Sequence, residues 1–230
     1  MKLKTDFHLH SKEDPHDVIS YTARELIDHL ASRGYNAISL TFHDAPGYTQ
    51  ELADYAKEKG ITLLPGVERT IEGAHILLLN VTNEEISQVH TLEDLKKIKR
   101  EDTLIIPSHP FFFLNALGKR LEKNLDVIDG IEYCHFYLPF LNLNKKSVAL
   151  SKKYKKPLIG NSDSHYLFQA GHTYSIVDAE KNTIPAIIKA IKQGNVEVVT
   201  KPLDFLSFFK VSFALFILMP FKIWKRGGHY

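Results

Sequence analysis

Apolar runs of strand length end, one after another, on a histidine, an aspartate or a glutamate. A chain built this way has to gather its strand ends in one place. Asp6-Phe7-His8-Leu9-His10 opens the sequence and Asn161-Ser162-Asp163-Ser164-His165 answers it far downstream. Between them lie Thr41-Phe42-His43-Asp44, Gly66-Val67-Glu68, His75 and Ser108-His109-Pro110. Alternate residues of a strand face one side, so the imidazoles of His8 and His10 project together, and Asp163 and His165 repeat the spacing. Imidazole and carboxylate are ligands of borderline and hard divalent cations. Any one of these groups also has an ordinary reading as a hydrogen-bonded polar residue at a strand end. So many together point to one site holding more than one metal, and hence to a metal-dependent hydrolase.

Helical patterns separate the runs. Thr22 and Glu25 make a capping box ahead of Ala23, Leu26, Ile27, Leu30 and Ala31 on one face, over 22–33, and Gly34 suits the C′ position. Further helices are expected over 49–59, from Thr91 through Arg100, over 143–155 and from Thr183 to Gln193. Strands are expected over 3–9, 36–42, 61–67, 75–80, 103–108 and 130–134, from Leu158, and over 196–200. The repeated alternation predicts parallel strands joined by helical crossovers, with the site at their carboxyl ends. His75 is the exception, since it opens its apolar run. One α/β domain over 1–202 accommodates all of this, followed by a tail over 203–230 of different character.

The charge balance, 29 Lys and Arg against 27 Asp and Glu, carries no global signature of a nucleic-acid binder, although a local basic channel stays open. Twelve histidines exceed what packing alone requires. A single cysteine, Cys134, excludes a disulfide framework and a cysteine zinc site, and it suits a reducing cytoplasm. Met1-Lys2-Leu3-Lys4 leads straight into the first strand without an apolar signal segment.

Individual residues take different weights. Glu68 ends an apolar strand, where a carboxylate has to be paired or metal-bound, and a bridging carboxylate is what two adjacent cations require. Pro110 forbids the strand carrying His109 from continuing as a central strand. Asp6 is placed to orient one imidazole. His135, just beyond a strand carrying Glu132, reads as a substrate contact or proton donor, or equally as a buried hydrogen-bonded group. Arg69 and Lys12 read as phosphate clamps or as solvated surface charges. His172 is a weak candidate, while His29 and His90 read as surface residues. The lysines over 143–156 read as a solvated helix face.

The ordered set Asp-Phe-His-Leu-His, Thr-Phe-His-Asp, Pro-Gly-Val-Glu, Ala-His-Ile-Leu, Ser-His-Pro and Asn-Ser-Asp-Ser-His resembles the PHP family, the polymerase and histidinol phosphatase superfamily of metal-dependent phosphoesterases. The resemblance spans about residues 5–200. It implies a distorted seven-stranded (β/α) barrel and two or three divalent ions such as zinc, manganese or iron. It also implies that His8, His10, Glu68 and Asp163 hold one ion and that Glu68, His75 and His109 hold a second. A third falls to His43 and His165 with one further group. The loop Ser11-Lys12-Glu13-Asp14-Pro15-His16-Asp17 departs from the family's usual turn, so Asp17, Asp14 and His16 compete for that last role, with Asp17 preferred.

The activity so implied is hydrolysis of a phosphate mono- or diester by a metal-activated hydroxide, with Glu68 bridging and His135 assisting the leaving group. A small phosphorylated substrate is expected in preference to nucleic acid. The alternatives are an amidohydrolase-like C–N hydrolase, which would want a metal-bridging lysine, and a non-catalytic metal-binding module recruited to a membrane. Residues 205–221 are almost wholly apolar and are followed by Lys222, Trp224, Lys225 and Arg226. That tail reads either as a helix packed on the domain or on a second subunit, or as an interfacial helix making peripheral membrane contact.

Overall fold

The computed structural model describes residues 1–112 and 114–213. Their strands fall into three sheets, and the break between the first two is written into the chain at one residue. Strand β1 (Lys2–Leu9) is followed by helix α1 (Ala23–Ser32), β2 (Ala37–Leu40), α2 (Gln50–Glu58) and β3 (Thr62–Leu64). These are the expected parallel crossovers, with β1, β2 and β3 side by side. The Thr22–Glu25 capping box forms as expected, and Gly34 takes φ 73° beyond the helix end. Pro65 then interrupts the apolar run. Proline has no N–H to donate to a ladder, so the expected strand over 61–67 is split and the chain leaves the first sheet.

The second sheet is antiparallel throughout. β4 (Gly66–Ile71) turns through Glu72 and Gly73 into β5 (Ala74–Leu79), and β6 (Leu104–Pro107) pairs along the far side of β5. Glu72 and Gly73 both have positive φ, 49° and 73°, as a two-residue hairpin of this twist requires. The short helices α3 (Asn83–Ser87) and α4 (Leu95–Ile98) lie between β5 and β6. The long helix expected from Thr91 is therefore reduced to one turn. The reversal explains His75, because the start of an antiparallel strand lies at the same end as its neighbours' finish.

β7 (Ile131–Cys134) and β8 (Leu158–Asn161) form a separate parallel pair joined by α5 (Asn144–Tyr154). β9 (Thr173–Asp178), not foreseen from the sequence, lies antiparallel to β1, and β10 (Val196–Thr200) pairs with it after α6 (Ile184–Lys192).

The closed (β/α) barrel expected from the resemblance is not formed. Among the described residues the sheets have the orders β10-β9-β1-β2-β3, β4-β5-β6 and β7-β8, with no ladder joining one to the next. At each seam a few specific hydrogen bonds replace the ladder. Glu68 N–H donates to Phe42 O at 3.1 Å, and Asp44 N–H donates to Glu68 O at 2.9 Å. Asp129 exchanges bonds with Ile105, its N–H to the carbonyl at 2.9 Å and its Oδ2 from the N–H at 3.0 Å. Asn161 Oδ1 accepts from Phe7 N–H at 2.9 Å, and Asp6 Oδ1 accepts from Ser162 N–H at 3.1 Å.

Apolar packing continues across the seams. Leu3 and Phe7 of β1, Leu64 of β3, Leu77 and Leu79 of β5, Ile106 of β6, Ile159 of β8 and Val177 of β9 meet in one core with Ile187, Ile188 and Ile191 of α6. Two further clusters fill the spaces between the sheets and the outer helices.

Beyond β10, Leu203 N–H donates to Tyr137 O, and helix α7 (Phe205–Phe213) lays Phe208 on Phe136 with ring centroids 4.5 Å apart. Val211 and Leu203 are buried beside Cys134 and Phe136. This first part of the tail thus packs on the domain. Residues 214–230, including Lys222, Trp224, Lys225 and Arg226, lie outside the described residues. Among the described residues no helix is long and apolar enough to cross a membrane.

Gly66 stands where β4 crosses the end of β2, and a Cβ there would come within 2.2 Å of Ser39 Oγ and 2.9 Å of Leu79 Cδ2. Gly66→Ala is therefore expected to destabilise the chain by about 1–3 kcal/mol, the usual cost of overpacking. Urea unfolding measures it, and a loss within error of zero would mean that this crossing is looser than described.

Candidate metal centre

The strand ends deliver their polar side chains into one cluster, with the Glu68 carboxylate at its middle. Oε1 of Glu68 lies 3.1 Å from His8 Nε2, 3.1 Å from His75 Nδ1 and 3.5 Å from His109 Nε2. Oε2 lies 3.2 Å from His43 Nε2 and 3.6 Å from His10 Nε2. The five imidazoles close a ring around it. Centroid distances are 5.1 Å from His8 to His10, 4.5 Å to His43, 5.3 Å to His75, 5.6 Å to His109 and 6.0 Å back to His8. Asp163 Oδ1 faces His8 Nε2 at 3.3 Å and His10 Nε2 at 3.4 Å. The His165 ring lies tilted with its centroid 4.7 Å from that of His10, and its Nε2 is 2.9 Å from Asp17 Oδ2.

Local backbone features aim these groups. The β1–β2 register slips between Asp6 and Leu9, the stretch that carries His8. His109 and Asp163 have φ of 28° and 45°, and Asp44, beside His43, has 51°. Non-glycine residues held there cost on the order of 1–3 kcal/mol each, and such strain gathers at functional sites. Glu68 is 1% exposed and His8 and His10 are fully buried, whereas the side chains of His43 and Asp163 are 21% and 18% exposed and mark the open side.

A second layer fixes the rings. Glu132, fully buried on β7, accepts from His8 Nδ1–H at 2.9 Å, from Asn161 Nδ2–H at 2.9 Å and from His109 N–H at 2.5 Å. Asp14 Oδ2 accepts from the Nδ1–H of both His10 and His43, each at 2.9 Å. His165 Nδ1–H donates to Asp163 O at 3.0 Å. With each Nδ1–H engaged outward, Nε2 of His8, His10, His43 and His165 turns inward as a ligand atom.

The charge pattern matches. Burial pushes Glu68 toward protonation, but the charges of His8 and His75 and the approach of His109 outweigh it and hold the carboxyl well below its usual range. Burial likewise opposes ionisation of Asp163, and His8, His10 and His165 overcome it. On the imidazole side burial favours the neutral form, yet Asp163, Glu68 and Glu132 raise His8 well above its ordinary value, and Asp17 raises His165 to about 10.

These residues fit divalent cations. His8 Nε2, His10 Nε2, His75 Nδ1 and Glu68 Oε1 are buried without a hydrogen bond, a cost that coordination would remove. Three overlapping sets bring ligand atoms within 4.8 Å of one another: His8, His10 and Glu68; His43, Glu68 and His75; and His10, His43 and His165. Two or three ions are thereby accommodated, with His43 shared between two of the sets.

Other expected residues lie differently. Asp14 orients two rings from behind, while Asp17 faces His165 from the ligand side, and His16 is exposed. Asp6 holds the backbone N–H groups of His8 and Ser162 rather than an imidazole, and burial raises it to about 7. His135 is 2% exposed, and its Nε2 accepts from Gln169 Nε2–H at 2.8 Å. Burial lowers His135 to about 3, which keeps the ring in its neutral form at neutral pH. Arg69 is engaged by Asp44 Oδ1 at 2.7 Å and Val89 O at 3.2 Å. Lys12, His90 and the α5 lysines 145, 146, 152 and 153 are all exposed. His29 and His172 are part-buried and lie outside the ring of imidazoles around Glu68. The orienting role of Glu132 was missed, although a lone carboxylate in Ile131-Glu132-Tyr133-Cys134 carries the same signal that singled out Glu68.

Comparison with known proteins agrees with this geometry. Residues 142–196 match the family model described as PHP-associated. The chain is 26% identical over 243 aligned positions to a 5'-3' exoribonuclease of Haemophilus influenzae, covering 99% of this chain and 78% of that protein. A two-domain protein of Bacteroides vulgatus containing a predicted PHP-like metal-dependent phosphoesterase superposes with a TM-score of 0.68 at 19% identity, over 87% of this chain. The match spans 65% of that protein's length. PsfC of Pseudomonas syringae gives 0.66 at 14% identity, covering 93% and 96% of the two chains. The lesion-specific endonuclease of Pyrococcus furiosus gives 0.60 at 18%, covering 89% and 60%.

Glu132→Gln keeps the shape but removes a carboxylate behind His8, and is expected to weaken metal binding about 10–100-fold, as loss of an orienting partner does. Competition with a chromophoric chelator reads this out, and wild-type affinity would remove Glu132 from the support of the site. Metal binding should also release protons at neutral pH, because His8, His10, His109 and His165 are all raised and only neutral imidazole coordinates. The sign follows directly: lowering the pH weakens binding. Calorimetry in buffers of different ionisation enthalpy checks it, and heats independent of buffer would contradict it.

Proposed function

We propose that the chain is a metal-dependent phosphoesterase of the PHP-like kind and hydrolyses phosphate esters at this cluster. The observation that carries the reading is the two-sided use of Glu68, one oxygen toward His8, His75 and His109 and the other toward His43 and His10. That is the disposition of a carboxylate shared by two cations. His8, His10 and Asp163 would complete one side with it, His75 and His109 another, and His43, His165 and Asp17 the third. When bound, the ions supply Lewis acidity that activates water for in-line attack on phosphorus and neutralises charge on the phosphoryl oxygens.

The chain's own residues do the positioning. Glu132 and Asp14 hold His8, His10 and His43 in the coordinating tautomer, and the site is most open to solvent at His43 and Asp163. His135, neutral and held by Gln169, offers a hydrogen-bonding ring near the site rather than a resident acid. Arg69 braces the β2–β4 seam through Asp44, which leaves Lys12 as the exposed cation following His10 to meet a phosphate. A C–N hydrolase of the amidohydrolase type is disfavoured because the position between the imidazoles is held by a carboxylate and not by a lysine.

A small phosphorylated molecule is the proposed substrate. The likeness to an exoribonuclease along 99% of the chain supports trying short RNA as the second class. The test is a panel of an aryl phosphomonoester, a bis-aryl phosphodiester and a short RNA with Mn or Zn at measured occupancy. Chelation should abolish turnover and added metal should restore it. Glu68→Gln and His109→Ala should fall to background while circular dichroism stays unchanged, whereas Asp17→Asn should lower metal content below that of Asp14→Asn. Wild-type turnover in Glu68→Gln would rule out the shared-carboxylate reading.

A further inference from the structure

Helix α7 has two apolar sides, and only one is used. Phe208 and Val211 face the domain, against Phe136 and Cys134. Phe205, Leu206, Phe209 and Phe213 face outward at 60%, 66%, 64% and 54% exposure. The side is extended by a second segment, since Phe140, 71% exposed, lies 5.9 Å from the Phe205 ring, with Leu141 beside it at 45%. Scattered exposed apolar residues need no explanation, but a contiguous aromatic patch built from two segments marks an interaction surface.

Charge selects the partner. From Phe205 onward the sequence contains no acidic residue, and Lys210, Lys222, Lys225 and Arg226 give this stretch +4 in a chain whose net charge is only +2. The rest of the chain is therefore net acidic, and these cations lie within or after the exposed aromatics in the sequence. Lys210 lies on the outward side of α7 itself. A second copy docking through the same face would bring like charges together. A surface that is apolar just beneath and anionic above satisfies both features at once, which is how interfacial helices with phenylalanine, tryptophan and lysine bind.

We propose that the outward face of α7, together with Phe140 and Leu141, docks this protein on an anionic lipid bilayer as a peripheral contact. The phenylalanines enter the headgroup–acyl boundary and Lys210 meets the lipid phosphates, in a stretch whose sequence adds three further cations. The surface is separate from the metal ligands, so it stands or falls independently of the reaction at the cluster.

Flotation of the full-length protein with two kinds of vesicle tests it, scored by protein recovered and not by activity. Vesicles of phosphatidylcholine containing phosphatidylserine should carry the protein at least about tenfold better than phosphatidylcholine alone, given about 1 kcal/mol per cation near the surface. Raised salt should weaken the binding. The double variant Phe205→Glu/Phe209→Glu should lose flotation with unchanged metal content. Lys222→Glu/Lys225→Glu, which alters no described contact, should lower it by a similar factor and keeps the test decisive if the first variant misfolds. No flotation of the wild type, or equal flotation of wild type and both variants, overturns the proposal. So does a dimer by light scattering that Phe205→Glu/Phe209→Glu makes monomeric without any lipid binding, which would assign the face to a second copy.

Discussion

An ionised carboxylate removed from water has to be compensated on every side, and Glu68 sets that requirement for the whole molecule. Its two oxygens are met by five imidazoles drawn from β1, the end of β2, β5 and the end of β6. Those rings are themselves buried and need partners at their outer nitrogens. Glu132 supplies the partner for His8 and Asp14 those for His10 and His43, and Glu132 also accepts the backbone N–H of His109. Like charge and opposite charge thus alternate outward from the centre. Removing any member leaves another buried ion uncompensated, which is costlier than losing the pair.

The same requirement accounts for the broken sheet. At the seams between sheets, backbone groups that a closed barrel would pair with a ladder are met by Asp6, Asn161 and Asp129 side chains or by single bridges such as His43 with Glu68. Pro65 enforces one break by lacking a donor, and the hairpin through Glu72 and Gly73 reverses the chain where a parallel crossover was expected. The seams between β2 and β4 and between β1 and β8 pass beside the metal centre. Backbone released from regular pairing there is free to take the positive φ of Asp44 and Asp163, which aims ligands inward.

Much of the site was legible along the chain because strand periodicity is local. His8 and His10 share a face by spacing alone, whereas Asp163 and His165 follow the end of β8 and are aimed by the positive φ of Asp163, and Glu68 and His109 stood out as polar groups closing apolar runs. α1 and its capping box were equally local. The antiparallel sheet and β9 were not legible. An apolar run of four to six residues has the same pattern whether its partner runs parallel or antiparallel, and only the turn and the partner decide. The barrel expected from the resemblance failed for that reason.

The sequence by itself determined which groups could bind metal, that they would gather at strand ends, and that a basic, aromatic tail would follow. Tertiary structure decided which carboxylate lies in front of an imidazole and which lies behind it. Asp14 and Asp17 sit three positions apart on one loop, yet one backs His10 and His43 and the other faces His165. Spacing cannot separate them, because the difference is set by residues from distant strands that the loop meets only after folding. Likewise His135 carries a titratable ring whose neutrality comes from burial against Gln169, a contact 34 positions away in sequence. Side-chain chemistry is inherited from the chain, but desolvation and partner choice exist only in the fold.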